Sequence, residues 1–173
     1  MCGIVGYIGP QDATPFILNG LKRLEYRGYD SAGLAILEND QIEVRRDAGK
    51  LARLSALVAD EPVHGNIGIG HTRWATHGEP NARNAHPHMG MTGDVVLVHN
   101  GIVENFLELR EELEAEGVNF KSETDTEVIV HLVERYLSSE DGLVEAARKA
   151  LGHLRGAHGV VVMSRKEPDK IVS

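Results

Sequence analysis

The order of strand-like and helix-like segments constrains the fold of this chain most strongly. Short runs rich in Val and Ile and bounded by Gly, Asp or Asn are typical of strands, whereas longer amphipathic runs are typical of helices. Because the strand-like runs come in groups before and after helices, the pattern favours an α+β fold with mainly antiparallel sheets. The predicted strands are Ile4–Ile8, Ala32–Leu37, Gln41–Arg46, Ile67–His71, Val95–His99 and Gly159–Met163, with a hairpin turn at Glu38–Gln41.

Four amphipathic helices are predicted from capping residues and apolar spacing. In the first, Thr14 is the expected N-cap and Gly28 the stop signal. In the second, Asn105 is the expected N-cap, and Glu108 follows it at the spacing of a capping box. The other two are predicted from about Asp125 onward and over Gly142–Leu154.

The C-terminal residues predict a strand that is just beginning. Pro168 and Asp169 are typical of a turn, and Lys170–Ser173 has the pattern of a strand that follows it. A strand in this position is expected to lead into further structure. We therefore expect the chain to be a piece of a longer protein.

Cys2 is the only cysteine in 173 residues and directly follows Met1. Removal of Met1 would place a thiol and a free α-amino group on one residue. With reference pKa values of about 8.5 and about 8, the amine can take the proton of the thiol near neutral pH. Such a pair is a self-contained nucleophile and base. The alternative is that Cys2 is a small buried hydrophobic residue, as most lone cysteines are.

Composition excludes several classes of partner. The chain has 18 Lys and Arg residues against 26 Asp and Glu residues, a net charge of −8, which argues against nucleic acid and anionic membranes as main partners. A single cysteine cannot form an internal disulfide and suits a reducing compartment. With no apolar run of membrane-spanning length, we expect a cytoplasmic protein of one globular domain.

The glycines that follow Cys2 do not predict a dinucleotide cofactor. Cys2–Gly9 has glycines at positions 3, 6 and 9. A dinucleotide-binding fingerprint needs a strand before its glycines, and only two residues precede these. The glycines instead indicate that other backbone approaches the strand that carries Cys2.

A second polar cluster spans Gly70–Gly78 and Asn84–His88. Arg73 offers a fork of donors suited to a carboxylate, and Trp74 offers a flat apolar wall. Thr76 and His77 add polar contacts. Five of the nine histidines fall between residues 71 and 99, but without an HExxH or CxxC pattern we expect no metal.

Two further clusters are each open to two interpretations. Asn100 and Gly101 follow an apolar strand, where an amide side chain and a backbone N–H can form an oxyanion hole. The same dipeptide is also typical of a simple turn. Asp125, within Ser122–Thr126, either caps the following helix or pairs with the ammonium group of a ligand.

Together, a thiol, an oxyanion hole, a carboxylate-binding Arg and an ammonium-binding Asp fit glutamine, which is both an amide and a zwitterion. The sequence resembles the class II, N-terminal-nucleophile glutamine amidotransferases over essentially its whole length. The motifs that carry the resemblance are CGIVGYIG at 2–9, LEYRGYDSAGLA at 24–35, HTRWATHGEP at 71–80, NAHPH at 84–88, VHNGIVEN at 98–105 and SETDTEV at 122–128.

The resemblance implies a four-layer αββα N-terminal-nucleophile hydrolase sandwich, truncated at its C-terminus, with residues 1–173 as its glutaminase domain. It also implies a role for each matching residue and no metal or organic cofactor. Cys2 would be the nucleophile, with Asn100 and Gly101 as the oxyanion hole. The substrate-binding residues would be Arg73, Trp74, Thr76, His77 and Asp125, supported by Arg27, Gly28 and His86.

The acceptor of the ammonia is implied only by the branch of the family. The sequence resembles the branch that converts fructose 6-phosphate to glucosamine 6-phosphate, whose sugar-isomerase domain is absent from this chain and whose full protein is a homodimer. An alternative acceptor is phosphoribosyl pyrophosphate, although Glu25–Asp30 and Trp74 speak against it. A third hypothesis is an inactive glutamine-binding piece, since a retained Met1 would turn the nitrogen of Cys2 into an amide.

Overall fold

The chain folds into two antiparallel sheets that are covered by helices on their outer faces. The computed structural model describes residues 2–74, 78–139 and 142–173. The strands are β1 Gly3–Ile8, β2 Ser31–Glu38, β3 Gln41–Ala48, β4 Ile67–Arg73, β5 His88–Met89, β6 Val95–Gly101, β7 His158–Ser164 and β8 Glu167–Val172. The helices are α1 Ala13–Leu24, α2 Leu51–Asp60, α3 Phe106–Ala115, α4 Glu127–Leu137 and α5 Leu143–Gly152, and a 3₁₀ turn covers Glu25–Arg27.

Each sheet has four strands, and the strand pairs among the described residues are antiparallel. The first sheet has the order β1-β4-β2-β3, and the second has the order β5-β6-β7-β8. All six predicted strands are confirmed. The predicted hairpin turn is confirmed as well, because Glu38 pairs with Gln41 and both residues between them have positive φ, as type I′ turns require.

Three apolar clusters show how the layers are stacked. One lies between α1, α2 and the first sheet and contains Ile17, Leu34 and Leu54. The cluster between the sheets contains Ile69 and Val98. A third joins α3, α4 and α5 to the outer face of the second sheet. The order is therefore helix, sheet, sheet, helix, which confirms the predicted αββα sandwich.

The predicted Thr14 cap is wrong, and the Asn105 cap is confirmed in position but lacks the predicted capping box, because other groups bond to the same side chains. The N-cap of α1 is Asp12, which accepts from the backbone N–H of Thr14 at 3.1 Å. The Thr14 hydroxyl instead donates to the carbonyl oxygen of Val63 at 2.7 Å. Asn105 does occupy the N-cap of α3, but its side chain bonds to the backbone of His153 and Arg155 at 2.9 Å each rather than forming a capping box.

The C-terminal turn also lies earlier than predicted. Arg165 and Lys166 form the turn, and Pro168 and Asp169 belong to β8. A proline is tolerated there because β8 is an edge strand, so its missing N–H breaks no ladder. Within the described ranges, no helix combines the length and apolar character needed to cross a membrane.

Candidate active site

The two-residue period of β4 sets the first wall of the site. Ile67 and Ile69 point into the core between the sheets. Because side chains alternate along a strand, His71 and Arg73 lie on the same inward face. Both are buried, so the strand carries polar side chains into the end of the sandwich.

Strands β1 and β6 bring further polar groups to the same end of the sandwich. Ile4 packs against the cluster between the sheets, and Cys2 lies two residues before it on the same face. In β6, Val96 and Val98 point into that cluster, which places Asn100 on the inward face at the strand end. Cys2 and the side-chain amide of Asn100 therefore lie close together, although 98 positions separate them in the sequence.

These strand ends and the loop before α4 enclose a cavity of about 380 Å³. It is lined by Cys2, Arg27, His71, Arg73, Trp74, His86, His99, Asn100, Gly101, Ile102, Thr124, Asp125 and Thr126. Trp74, 47% exposed, forms part of its mouth and meets the ring of Tyr29 edge to face, with centroids 5.4 Å apart.

Cys2 makes hydrogen bonds to Trp74 through its sulfur and to the Asn100 side chain through its backbone oxygen. The backbone N–H of Trp74 donates to Cys2 Sγ at 3.1 Å. Asn100 Nδ2 donates to the backbone oxygen of Cys2 at 3.2 Å. The sulfur therefore has a donor beside it, and the amide N–H₂ of Asn100 faces the residue that carries the sulfur.

Asn100 does not belong to a turn. It pairs with Gly159 within the β6-β7 ladder, so the turn interpretation is wrong. Gly101 follows it with a φ of 139°, and a Cβ there would lie 2.3 Å from the oxygen of Ala157. Glycine is thus required at the position whose N–H was predicted to complete an oxyanion hole.

Arg73 is buried at the end of β4, with 4% of its surface exposed. Its Nη2 donates to the carbonyl oxygen of Gly78 at 3.4 Å. Burial lowers the pKa of the guanidinium, while the charges of Asp30, Cys2 and Asp125 oppose this effect. Gly28 allows the close approach of the Arg73 backbone, because a Cβ at position 28 would lie 2.8 Å from the Arg73 carbonyl group.

Asp125 does not cap α4. The N-cap is Thr126, and Asp125 Oδ2 accepts from the backbone N–H of Val103 at 2.8 Å. The helix-cap interpretation is therefore wrong, and the carboxylate instead lines the cavity that also contains Cys2 and Arg73.

Glu127 holds the loop that carries Asp125. Its carboxylate accepts from the backbone N–H groups of Lys121 at 2.7 Å and Ser122 at 2.6 Å. Burial opposes its ionisation, but hydrogen bonds from His131, Lys121 and Ser122 lower the pKa of Glu127 to about 2. A buried carboxylate thus anchors the loop to the first turn of α4.

Four buried histidines, His71, His86, His88 and His99, form a layer of which three members line the cavity. His71 stacks on His86 with ring centroids 4.3 Å apart, and His86 meets the edge of His88. Burial, as the largest cause, lowers the pKa of His71 and His99 to about 4 and that of His88 to about 3. It also lowers the pKa of His86 well below its ordinary value. All four are therefore neutral near neutral pH.

Most of the predicted site residues lie together. The cavity is lined by Cys2, Arg27, Arg73, Trp74, His86, Asn100, Gly101 and Asp125, whereas Gly28 packs behind Arg73. Thr76 and His77 lie outside the described residues. In residues 2–74, 78–139 and 142–173, no three His, Cys, Asp or Glu side chains are grouped to hold a metal ion.

His71 and His99 line the cavity, but sequence reasoning assigned neither a role. His71 had a detectable signal, because it lies two residues before Arg73 in a strand and therefore shares its face. His99 had none, since it points away from the sheet interface and its Nδ1 contacts Thr126 Oγ1 at 2.9 Å.

Comparisons with known proteins find relatives over most or all of this chain. The family model for the glutamine amidotransferase domain matches residues 71–173. Glutamine–fructose-6-phosphate aminotransferase (isomerizing) from Chlorobaculum tepidum is 52% identical over 99% of this chain and 29% of its own length. The enzyme of the same name from Caldanaerobacter subterraneus subsp. tengcongensis is 53% identical over 100% of this chain and 28% of its own length. The chain thus spans less than a third of these relatives.

A solved structure shares the fold. Glutamine phosphoribosylpyrophosphate amidotransferase from B. subtilis, complexed with ADP and GMP, superposes with a TM-score of 0.81 at 27% identity. The match covers 95% of this chain and 35% of that protein.

Proposed function

Because this chain belongs to the glutamine amidotransferase domain family, we propose that it hydrolyses L-glutamine to glutamate and ammonia with Cys2 as the nucleophile. The observation that carries the proposal is the contact of Asn100 Nδ2 with the backbone oxygen of Cys2 at 3.2 Å. This contact lies in a cavity that also contains a buried Arg and a buried Asp. A thiol, an amide donor and two side chains of opposite charge together suit glutamine, which has a side-chain amide, an α-carboxylate and an α-ammonium group.

The reaction begins once Met1 is removed and the α-amine of Cys2 is free. The amine takes the thiol proton, and the sulfur attacks the side-chain amide carbon of glutamine. The oxygen of that amide becomes an oxyanion, which Asn100 Nδ2 and the N–H of Gly101 stabilise. The C–N bond then breaks, and the nitrogen leaves as ammonia with the proton from the amine. Water attacks the γ-glutamyl thioester, which releases glutamate and restores the thiol.

Arg73 and Asp125 hold the two charged groups of glutamine, which are bonded to the same carbon. Arg73, together with Thr76 and His77, binds the α-carboxylate, because its planar fork of donors suits two carboxylate oxygens. Asp125 binds the α-ammonium. Trp74 closes the mouth of the cavity over the bound substrate, with Arg27, Gly28 and His86 as supporting residues.

We take fructose 6-phosphate as the acceptor of the ammonia in the full protein. The support is the name of the relatives that are 52% and 53% identical. A sugar-isomerase domain beyond this chain would bind that sugar and form a homodimer in the cytoplasm. Phosphoribosyl pyrophosphate is the weaker alternative, since the structural relative named for it is only 27% identical.

Labelling of the single cysteine tests the proposed nucleophile. We expect a glutamine-like diazoketone to alkylate Cys2 in folded protein whose intact mass shows the loss of Met1. Glutamine in excess should slow the labelling, because both ligands occupy the same cavity. Peptide mapping locates the adduct.

The control is the same protein with Met1 retained. Its Cys2 nitrogen is an amide and cannot act as the base, so labelling by the diazoketone should be much slower. A small neutral thiol reagent should still reach the sulfur in both forms. Equal diazoketone labelling with and without Met1 contradicts the role of the α-amine, and no labelling of the processed protein contradicts the role of Cys2.

A further inference from the structure

The side-chain amide of Asn100 has two chemically opposite ends, and only one orientation suits its surroundings. Nδ2 donates to the backbone oxygen of Cys2 at 3.2 Å, and Oδ1 lies 2.9 Å from His71 Nε2. A half-turn of the amide would place Oδ1 against the Cys2 oxygen, so that two acceptors would face each other. The orientation therefore depends on what His71 offers to the other end of the amide.

His71 offers a donor only when its hydrogen is on Nε2. Burial, as the largest cause, lowers the pKa of His71 to about 4, so the ring is neutral near neutral pH and carries a single N–H. With the hydrogen on Nδ1, Nε2 and the Asn100 oxygen would be two acceptors 2.9 Å apart. The contact is attractive only for the Nε2–H tautomer.

The position of the His71 ring is itself fixed by packing. Its side chain is fully buried. The ring stacks on His86 at a centroid distance of 4.3 Å and an interplanar angle of 26°. Its backbone pairs with Ile4 on one side and Gly33 on the other, so β4 holds it in register with the strand that carries Cys2. The ring is thus a rigid support behind the amide.

We propose that His71 is the positioning residue of the oxyanion hole: its Nε2–H holds Asn100 Oδ1 and so directs Nδ2 toward the oxygen that becomes negative when Cys2 attacks the substrate amide. The inference rests on the proposed function, because it requires Asn100 to act on the oxyanion. In this proposal His71 acts through its contact with Asn100 Oδ1 and makes no direct contribution to bond breaking. It acts by preventing the amide from turning its oxygen toward a developing negative charge.

A matched pair of variants separates donation from packing. In His71→Leu the donor is lost, and kcat should fall by about tenfold or more, but by less than the roughly 10²- to 10³-fold that loss of an oxyanion donor itself costs. KM for glutamine should stay within about twofold, because no ground-state contact is removed. In His71→Gln an amide N–H takes the place of Nε2–H, and most of kcat should return.

A double-mutant cycle tests whether His71 acts through Asn100. Asn100→Ala should lower kcat by about 10²- to 10³-fold with little change in KM. If His71 works only by orienting the amide, His71→Leu should cost no further kcat in the Asn100→Ala background. Equal losses in both backgrounds would overturn the positioning role.

Different results would refute the positioning role of His71 and the oxyanion role of Asn100 on which it rests. Unchanged kcat in Asn100→Ala refutes the oxyanion role of Asn100 and, with it, the role of His71. A full loss in Asn100→Ala beside normal kcat in folded His71→Leu refutes the positioning role alone. Should His71→Leu fail to fold, the ring nitrogens of the unmodified protein still decide the matter by NMR. Hydrogen on Nε2 supports the proposal, and hydrogen on Nδ1 overturns it.

Discussion

The proposed role of Arg73 in binding glutamine can be measured by KM, separately from any effect on stability. We expect Arg73→Lys to raise KM for glutamine roughly ten- to a hundredfold, because a charge-assisted hydrogen bond contributes about 1.5–3 kcal/mol and a lysine cannot reproduce the bidentate fork. The contact is made to a part of glutamine that does not react, so kcat should change little. Steady-state kinetics over a wide range of glutamine concentrations measures both.

Arg148→Lys is the matched control for that substitution. Arg148 lies on α5, its side chain is 68% exposed, and it pairs with Glu145 on the same helix. The same chemical change there should leave KM unaltered. If Arg73→Lys also leaves KM unaltered, Arg73 does not bind the α-carboxylate.

At the scale of secondary structure, the elements with local signals were predictable. The six strands and the β2-β3 hairpin follow from Val and Ile content and from Asn39 and Asp40 at positions that need positive φ. Helix α2 was not predicted, although Leu51, Leu54 and Val58 have helical spacing. Its N-cap, Lys50, forms no side-chain cap, and the N–H of Leu51 instead bonds to a carboxylate of Glu25 at 3.1 Å. A cap supplied 26 positions away leaves no local pattern.

The turn before β8 was misplaced for a similar reason. Arg165 Nε and Lys166 Nζ each contact the carboxylate of Asp94 at 2.6 Å, so the turn is fixed by a residue on the neighbouring strand end. The local sequence favoured Pro168 and Asp169 instead. Where a distant ion pair determines the turn, nearby turn-forming residues are a poor guide.

The loop before α4 yields a prediction at this scale. Glu127→Gln should lower the free energy of unfolding by about 1.5–3 kcal/mol, because an amide N–H₂ would replace one oxygen that accepts from the backbone of Lys121 or Ser122. It should also raise KM for glutamine, because the loop carries Asp125. Denaturant titration and steady-state kinetics measure the two effects.

Glu123→Gln is the control on the same loop. Glu123 is exposed and pairs with exposed Arg83 at 2.6 Å, so its loss should cost at most about 1 kcal/mol. The loop interpretation is contradicted if Glu127→Gln is no more damaging than Glu123→Gln, or if it destabilises the fold without any change in KM.

For the whole molecule, the sandwich assembles a site that no single segment contains. Cys2, Arg73, Asn100 and Asp125 come from three strand ends and a loop. The sequence predicted their chemical roles because the residue types together fit glutamine. It did not predict the histidine layer, because the stacking of His71 on His86 and the hydrogen bond from the backbone N–H of His99 to His86 Nδ1 form only when separate parts of the chain are packed together. Resemblance to a family supplied the arrangement that local patterns lack.

Those buried histidines make the stability of the whole fold depend on pH. The folded-state pKa values of His71 and His99 are about 4 and that of His88 about 3, against 6.5 for an exposed imidazole. At pH values between the folded-state pKa and 6.5, the unfolded chain binds protons that the folded chain does not. The histidine contribution to stability is therefore complete above pH 6.5 and is lost as the pH falls toward 4. Glu127, with a pKa lowered from 4.5 to about 2, adds a further loss below pH 4.5.

We therefore expect the free energy of unfolding, measured by denaturant titration, to be lower at about pH 5 than at about pH 7.5. His88→Gln should flatten this dependence, because one depressed imidazole is removed. His64→Gln is the control of opposite sign. Hydrogen bonding to Asp12 raises the pKa of exposed His64, so its contribution is present below pH 6.5 and lost above it. Removing His64 should leave the acid loss in place and make it slightly steeper. An equal free energy of unfolding at the two pH values in the unmodified protein would mean that the buried histidines can be protonated in the folded state.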